Sequence, residues 1–420
     1  MLENLERLFP LYPKKIKQLL RFLYENDLEL YLVGGSVRDL LDSGKLGFDQ
    51  DFEVQSRSNM ASQQWRDHLD KVMPLAAKEF DLSIEKLKFN IYRMECEEYD
   101  LEFAPARKEV YPKDKKVFGH SDFKVELLPN APVSKSWQRR DFTLNAMGVK
   151  FDLSGPRSKT EFLDPYQGIE DLKTRVLRPV SEDFQKDPVR FLRSLRFSRK
   201  LHLTFGLELK EKLGQFNLQL LTQEALKREC LKDYAPVEFL FKFFELVDEY
   251  GVEISSDSMV DLQNAVRKLK ELDLKNLHVP DFYASLSLLW CNGFEWNESD
   301  FLAFSLFWGG RKKIAKRLYN QYLILEETPE KILELSSVEE LRRSPFYGQL
   351  KKLLEFFESS EWESFREVIP EKTSSALASL LKLQDVSTLK EKYDKNLNDQ
   401  QGAQRGDLKL LQFIQSLRKS

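Results

Sequence analysis

Two adjacent glycines, Gly34 and Gly35, constrain this chain more than any other feature, because they sit where an apolar run turns abruptly into a helical one. Leu30-Tyr31-Leu32-Val33 reads as a strand, and Ser36-Val37-Arg38-Asp39-Leu40-Leu41 opens a helix. Glycine at such a junction admits backbone angles closed to other residues and lets a ligand come close to the main chain. The first turn of the helix adds unpaired N–H groups and the positive end of its dipole, and Arg38 adds a full charge. A tight turn and a phosphate cradle are both open readings of the segment taken alone. Either way the N-terminal part must contain a sheet with a helix packed on it.

Ten residues after Asp39 comes Phe48-Asp49-Gln50-Asp51-Phe52. Residues i and i+2 of a strand share a face, so Asp49 and Asp51 stand side by side. Carboxylates that close repel each other unless a cation or a proton intervenes. Mg²⁺ suits such a pair, since it binds through one or two carboxylates and fills its remaining positions with substrate phosphates and water. A solvated edge strand is the competing reading. Asp100-Leu101-Glu102-Phe103 repeats the alternation and offers a third carboxylate, Glu102, five residues before Arg107. Three acids meeting below a glycine turn would make a two-metal phosphoryl-transfer site.

The rest of the chain sets the frame. Its 420 residues exceed one ordinary core, so at least two packed units are expected. A hydrophobic share of 42% with a net charge of −3 describes a soluble chain that has no bulk electrostatic attraction for nucleic acid, although a local basic patch remains possible. Three cysteines and four histidines, all scattered, offer neither a disulfide framework nor a Cys- or His-rich metal cluster, and they fit a reducing cytoplasm. No apolar run is long enough to span a bilayer, and the acidic start is unlike a secretory leader. Residues 1 to 28 read as a helical lead-in, and 29 to 155 mix short strands with a helix near 60–74. Beyond 180, helical periodicity covers 183–200, 207–232, 236–250, 259–272, 298–325, 330–343, 347–358 and 405–418.

Two further segments complete the pattern. Arg139-Arg140-Asp141-Phe142-Thr143-Leu144-Asn145-Ala146-Met147 sets two cations and a carboxylate among packing residues. In Asp187-Pro188-Val189-Arg190-Phe191-Leu192-Arg193-Ser194-Leu195-Arg196, proline suits the first helical position and Asp187 the cap. Asp187 and Arg190 lie one turn apart, with Arg193 and Arg196 continuing the face. A carboxylate beside a guanidinium presents acceptors and paired donors that match a nucleobase edge. An i,i+3 ion pair with a solvated arginine stripe is the plainer alternative.

In these four stretches, taken in order, the chain resembles the class II tRNA nucleotidyltransferases (CCA-adding enzymes) and the related bacterial poly(A) polymerases, over roughly residues 30–235. The resemblance implies an α+β fold: an N-terminal, polymerase β-like nucleotidyltransferase α/β head (1–155), a helical neck that selects the base (156–235), and an all-helical body and tail that bind RNA (236–420). It implies addition of C and A to the 3′ end of tRNA from CTP and ATP, with Mg²⁺ as cofactor and no obligatory protein partner. Asp49 and Asp51 would hold the metal, with Glu102 completing the catalytic set. Gly34, Gly35, Ser36 and Arg38 would cradle the triphosphate. Arg139, Arg140, Asp141 and Asn145 would handle ribose and nucleotide, while Asp187, Arg190 and Arg193 would select the base.

Departures from the family pattern bear on nucleotide choice. Lys186 stands where the family usually has Glu, and Ala225 where an arginine is usual in a further neck helix. The lysine-rich stretch between Arg107 and Arg139 resembles the family's specificity loop, and on composition it equally suits a solvated hairpin. Neither a Gly-Arg-Arg-Phe stretch nor a strongly basic tail is found, which favours tRNA maturation over polyadenylation. A poly(A) polymerase, a partial CC- or A-adding enzyme and a catalytically silent RNA-binding relative stay as alternatives. In the body, basic residues at Lys313, Lys316 and Arg317 could meet phosphates or simply face solvent.

Overall fold

A computed structural model describes Leu5, residues 8–155, 157–254, 257–269 and 298–309, and beyond them positions 312, 315, 316, 337–343 and 347. The chain divides into two compact units, Met1–Thr222 with Val247–Ile254, and Gln223–Leu246 with Ser255–Ser420. The class is α+β.

After a single helical turn at Leu8–Leu11, the first unit runs through helix α1 (Lys14–Glu25), strand β1 (Leu28–Val33), helix α2 (Gly35–Ser43), strand β2 (Asp49–Ser56) and helix α3 (Ser62–Glu79). Strands β3 (Ser83–Lys86), β4 (Tyr92–Glu95) and β5 (Asp100–Pro105) follow, then a hairpin of β6 (Arg107–Val110) and β7 (Lys124–Leu127), then β8 (Gly148–Asp152) and β9 (Lys159–Leu163). Seven strands form one sheet in the order β3-β4-β5-β2-β1-β8-β9, so the sheet continues past residue 155. All its neighbours are antiparallel except β2 and β5. That parallel pair lies at the centre, and its strands start side by side.

Strand alternation sorts the residues. Leu28, Leu30 and Leu32 of β1, Phe52 and Val54 of β2, and Leu101 and Phe103 of β5 join the main core with Ile16, Leu19, Leu20 and Leu23 of α1 and Trp65, Leu69 and Met73 of α3. Phe52 and Phe103 stack with centroids 5.2 Å apart. Truncating either ring to alanine would cost about 3–5 kcal/mol. The period of two therefore turns Asp49, Asp51, Glu53, Asp100 and Glu102 to the opposite face. A smaller cluster of Tyr31, Val33, Trp137 and Ala146 packs apart from the main core.

The helical part of this unit contains α4 (Gly168–Thr174), α5 (Pro188–Leu201) and α6 (Leu207–Leu213). Periodicity predicts one helical stretch over 207–232, but α6 ends at Leu213, capped by Gly214, and helix resumes only at α7 (Gln223–Cys230). Between them the Leu218 N–H donates to the carbonyl of Glu253 at 3.0 Å, a partner far along the chain that local pattern does not reveal. Helices α8 (Pro236–Tyr250), α9 (Asp257–Leu269), α10 (Glu298–Phe307) and α11 (Val338–Arg343) follow, and the aromatics at 241, 243, 244, 301, 304, 307 and 308, at helical spacing, are buried. The remainder of the helices expected over 298–325, 330–343 and 347–358, all of 405–418, and Lys313 and Arg317 lie outside the described residues. Lys316 pairs with Glu298 at 2.8 Å. No helix among the described residues is long and apolar enough to cross a membrane.

Candidate active site

The glycine turn is tight for two reasons. Gly34 has φ +79° and ψ −131°, a combination that strains any L side chain. A Cβ there would also stand 2.9 Å from Nη1 of Arg140 and 3.6 Å from Oδ2 of Asp51. Main chain, guanidinium and carboxylate thus meet at one point. The N–H groups of Gly35, Ser36 and Val37 open α2 and, as a first helical turn, lack intrahelical acceptors. The side chains behind them are committed: the Ser36 hydroxyl donates to the carbonyl of Asp49 at 2.7 Å. Buried Arg38 donates to Asn145 Oδ1 at 2.5 Å and to Asp39 at 2.8 Å, with its guanidinium 5.1 Å from the Phe197 ring. Of the four residues expected to cradle a triphosphate, the glycines present main chain at the turn, while the Ser36 and Arg38 side chains brace it from behind.

In the parallel β2–β5 pair, Asp49 is in register with Asp100 and Asp51 with Glu102. The acids part company in their pairing. Asp100 is buried and held by Arg93, whose Nε lies 2.9 Å and Nη2 2.6 Å from its carboxylate. Asp49, Asp51 and Glu102 have no hydrogen-bond or ion-pair partner within 4 Å among the described residues. Desolvation in a crowded recess that still opens to solvent pushes the Asp51 carboxyl up; Arg140 pulls it down and Asp49 pushes it up again. Half-buried Glu102 is raised by desolvation first, then by Asp51 and Asp100. Among the described residues no three His, Cys, Asp or Glu side chains close into a metal cage by themselves. Asp49 and Asp51, two apart on β2, are left as a pair of oxygen donors, the number that Mg²⁺ takes from protein when substrate phosphates and water fill its other positions.

The Arg139-Arg140-Asp141 segment lines the same face. Arg140 donates to the Asn145 carbonyl at 3.2 Å, and burial lowers its pKa, helped by Arg139 and opposed by Glu53 and Asp51. Asp141 is a saturated carboxylate. It accepts from the Phe142 N–H at 2.8 Å, Asn145 Nδ2 at 2.9 Å, and Arg193 Nε and Nη2 at 2.7 and 2.5 Å. Burial works against its charge, yet Arg193 and these donors hold its carboxyl well below the usual range. A continuous chain therefore runs Arg38–Asn145–Asp141–Arg193, tying the glycine turn to α5. Of the three residues expected to select the base, Arg193 is the one built into this brace.

Asp187 caps α5 through Val189 N–H at 2.9 Å, with Pro188 first in the helix. Its carboxylate also faces His120 Nδ1 at 3.0 and 3.1 Å. Arg190 donates to the carbonyl of Arg139 at 2.5 Å and stands 3.9 Å from both Asp187 and Glu109. Asp187 and Arg190 are thus adjacent without being clamped together. Lys186, the departure from Glu, pairs with Asp183 at 2.7 Å and lies 5.4 Å from the Tyr111 ring and 6.0 Å from that of Phe118. The lysine-rich stretch forms the β6–β7 hairpin, and its connection carries Tyr111, Phe118 and His120. A cavity of about 190 Å³ lies against Glu109, Tyr111, Arg139 and Arg190.

Three participants escape a reading of motifs. Glu53 is fully buried, accepting from Ser136 at 2.7 Å and Trp137 Nε1 at 3.1 Å, while its Oε2 lies 3.9 Å from Arg139. His120 and Arg107 arrive from the hairpin. The period of two in Asp49-x-Asp51-x-Glu53 could have flagged Glu53; nothing local flags the other two.

Residues 30–178 match the family model described as the poly A polymerase head domain. Over 276 residues the chain is 31% identical to the A-adding tRNA nucleotidyltransferase of Aquifex aeolicus, covering 64% of this chain and 27% of that protein. Over 266 residues it is 32% identical to the CCA-adding enzyme of Actinobacillus succinogenes, covering 59% of each. It thus spans less than two thirds of either relative. Two solved structures share its fold: a CCA-adding enzyme with CTP (TM-score 0.56, 21% identity, 98% of this chain and 94% of that one) and the Thermotoga maritima CCA-adding enzyme complexed with tRNA (TM-score 0.55, 20% identity, 99% and 95%).

Proposed function

From a head that belongs to the poly A polymerase head-domain family, in a chain related to the tRNA nucleotidyltransferases, we propose that this protein adds C and A to the 3′ end of tRNA without a nucleic-acid template, using CTP and ATP. The observation that carries the reading is the contrast within one acidic row: Asp100 is neutralised by Arg93, while Asp49, Asp51 and Glu102 are left unpaired beside Gly34. Carboxylates that lie side by side without a bonded partner repel each other, Arg140 offsets only part of this at Asp51, and a bound cation relieves the rest. The hard oxygen donors and the open shell fit Mg²⁺ on Asp49 and Asp51. Such ions, when bound, supply positive charge at the attacking and leaving oxygens.

The remaining work falls to the chain. The N–H groups that open α2 and the Arg140 guanidinium hold the triphosphate and offset charge that develops on it. Glu102, its carboxyl already raised, helps take the proton of the RNA 3′ hydroxyl. Asn145 and Asp141 orient the ribose side from the brace. Asp187 and Arg190 offer acceptor and donors to the base edge. Residues 1–155 would thus do the chemistry, 156–235 select the base, and 236–420 hold RNA.

The test is to supply tRNAs ending before C, after C and after CC with CTP or ATP and Mg²⁺, and to size the products. Two C followed by one A is the expected outcome. RNA binding without incorporation would instead make the chain a silent relative. Addition of a single nucleotide type has one observation in its favour: Lys186 is turned to Asp183 and two rings, which leaves only Asp187 and Arg190 at the base-reading edge.

A further inference from the structure

On the face that carries the acids, the row continues into a cluster of guanidiniums. Arg107 is only 8% exposed, its guanidinium 5.3 Å from the Phe89 ring, and its Nε and Nη1 are buried without an acceptor. Nε of Arg139 and Nε of Arg140 are buried and unpaired as well. The one buried carboxylate oxygen left over among them is Oε2 of Glu53. It cannot serve all four donors, since one oxygen accepts about two hydrogen bonds. The charges that act on Arg107 are Arg139, Glu109, Arg140 and Glu53; burial, then Arg139, pulls its pKa down to about 9. Four buried guanidinium N–H groups with one spare carboxylate oxygen are costly in a protein interior unless further acceptors complete them.

Arg140 stands at the triphosphate turn itself; position separates the Arg107 end of the deficit from that turn. Gly34 meets Asp51 near the start of β2, whereas Arg107 lies five residues beyond Glu102, roughly 16 Å further along extended chain at ~3.3 Å per residue. We propose that Arg107, with Arg139, forms a second phosphate-oxyanion site, filled by a phosphodiester of the RNA acceptor's 3′ end. The assignment to RNA rests on the function proposed above; the need for an oxyanion rests on the unpaired donors alone. A phosphodiester brings acceptors on one small group and matches the guanidinium fork.

The experiment measures binding of a labelled tRNA lacking its terminal CCA, without nucleotide, across a salt series. Wild type is compared with Arg107→Gln and Arg107→Lys, each verified as folded by thermal melting, and CTP binding is measured separately. Arg107→Gln should weaken RNA binding about tenfold and reduce the magnitude of the salt slope by about 0.7, the share of one single-strand phosphate. CTP binding should stay within about twofold, and Arg107→Lys should recover most of the slope. The second arm needs no variant to fold: an acceptor whose 3′-terminal linkage is a neutral methylphosphonate should bind wild type more weakly by the same factor and make Arg107→Gln indifferent to the change. Unaltered RNA affinity and slope in Arg107→Gln, or an unfelt methylphosphonate at that linkage, would overturn the proposal. Loss of CTP binding with RNA binding intact would also overturn it, assigning the oxyanion to the nucleotide. If wild type binds RNA in this Arg107-dependent way but incorporates nothing, the catalytic reading fails and the phosphate site stands.

Discussion

Carboxylates around the same glycine turn meet opposite fates. At the mouths of β2 and β5, Asp49, Asp51 and Glu102 lack partners, and the Asp51 and Glu102 carboxyls are pushed up. In the brace behind them, Asp141 is saturated by Arg193, Asn145 and a backbone N–H, and its carboxyl is held down. The side-chain chemistry is the same; only the supply of donors differs. A saturated acid stabilises the fold, whereas an acid left short of donors retains affinity for something from solution. That difference separates a structural carboxylate from one proposed to be catalytic better than either motif does.

The sharpest way to break the comparison is Asp51→Asn. Nucleotide incorporation should fall by about 10³-fold or more, as for loss of a main electrostatic stabiliser, while thermal stability holds or rises because repulsion with Asp49 and Glu102 is relieved. A folded variant with undiminished single-turnover incorporation would remove Asp51 from the chemistry. The opposite signature is expected in the brace. Arg193→Gln leaves Asp141 buried and stripped of its ion partner, which should cost about 2–3 kcal/mol in urea denaturation. A loss below about 0.5 kcal/mol would show that the brace is not structural.

The pH dependence follows from Asp141 with a definite sign. Its folded pKa lies below the unfolded value of about 3.9, so its stabilisation is complete above that pH and is lost as pH falls through the depressed folded value. The gap in unfolding free energy between wild type and Asp141→Asn should therefore narrow below about pH 4; a gap that widens on acidification would contradict the pairing. Smaller effects belong to the base edge. Asp187→Ala should change the ratio of CTP to ATP use about tenfold, with tRNA affinity little altered. His120→Gln, which changes a neighbour of Asp187 and leaves Asp187 itself in place, should shift that ratio by no more than about threefold. Equal ratios in all three proteins would detach α5 from base choice.

Much of this was legible in the linear chain. The turn at Gly34, the alternation that sends Phe52 and Asp51 to opposite faces, and the Asp187-Pro188 helix start are local properties, set by backbone sterics and a period of two or of 3.6 residues. The roles of Ser36 and Arg38 were harder to see, because what engages them, the Asp49 carbonyl and the Asn145 side chain, comes from elsewhere in the chain. The break in the expected 207–232 helix has the same origin, in the Glu253 carbonyl.

By itself, then, the order of residues determined the kinds of element, their inward and outward faces, and the acids that could serve a metal. Those depend on interactions among near neighbours along the chain. Only the tertiary structure decided which charges are satisfied: that Asp100 finds Arg93 while Asp49 finds nothing, that Asp141 is clamped, and that Arg107, Arg139 and Arg140 keep buried N–H donors without an acceptor. The reason is physical. Whether a buried charge has a partner depends on groups brought within about 3 Å by folding, and a linear pattern does not record that distance.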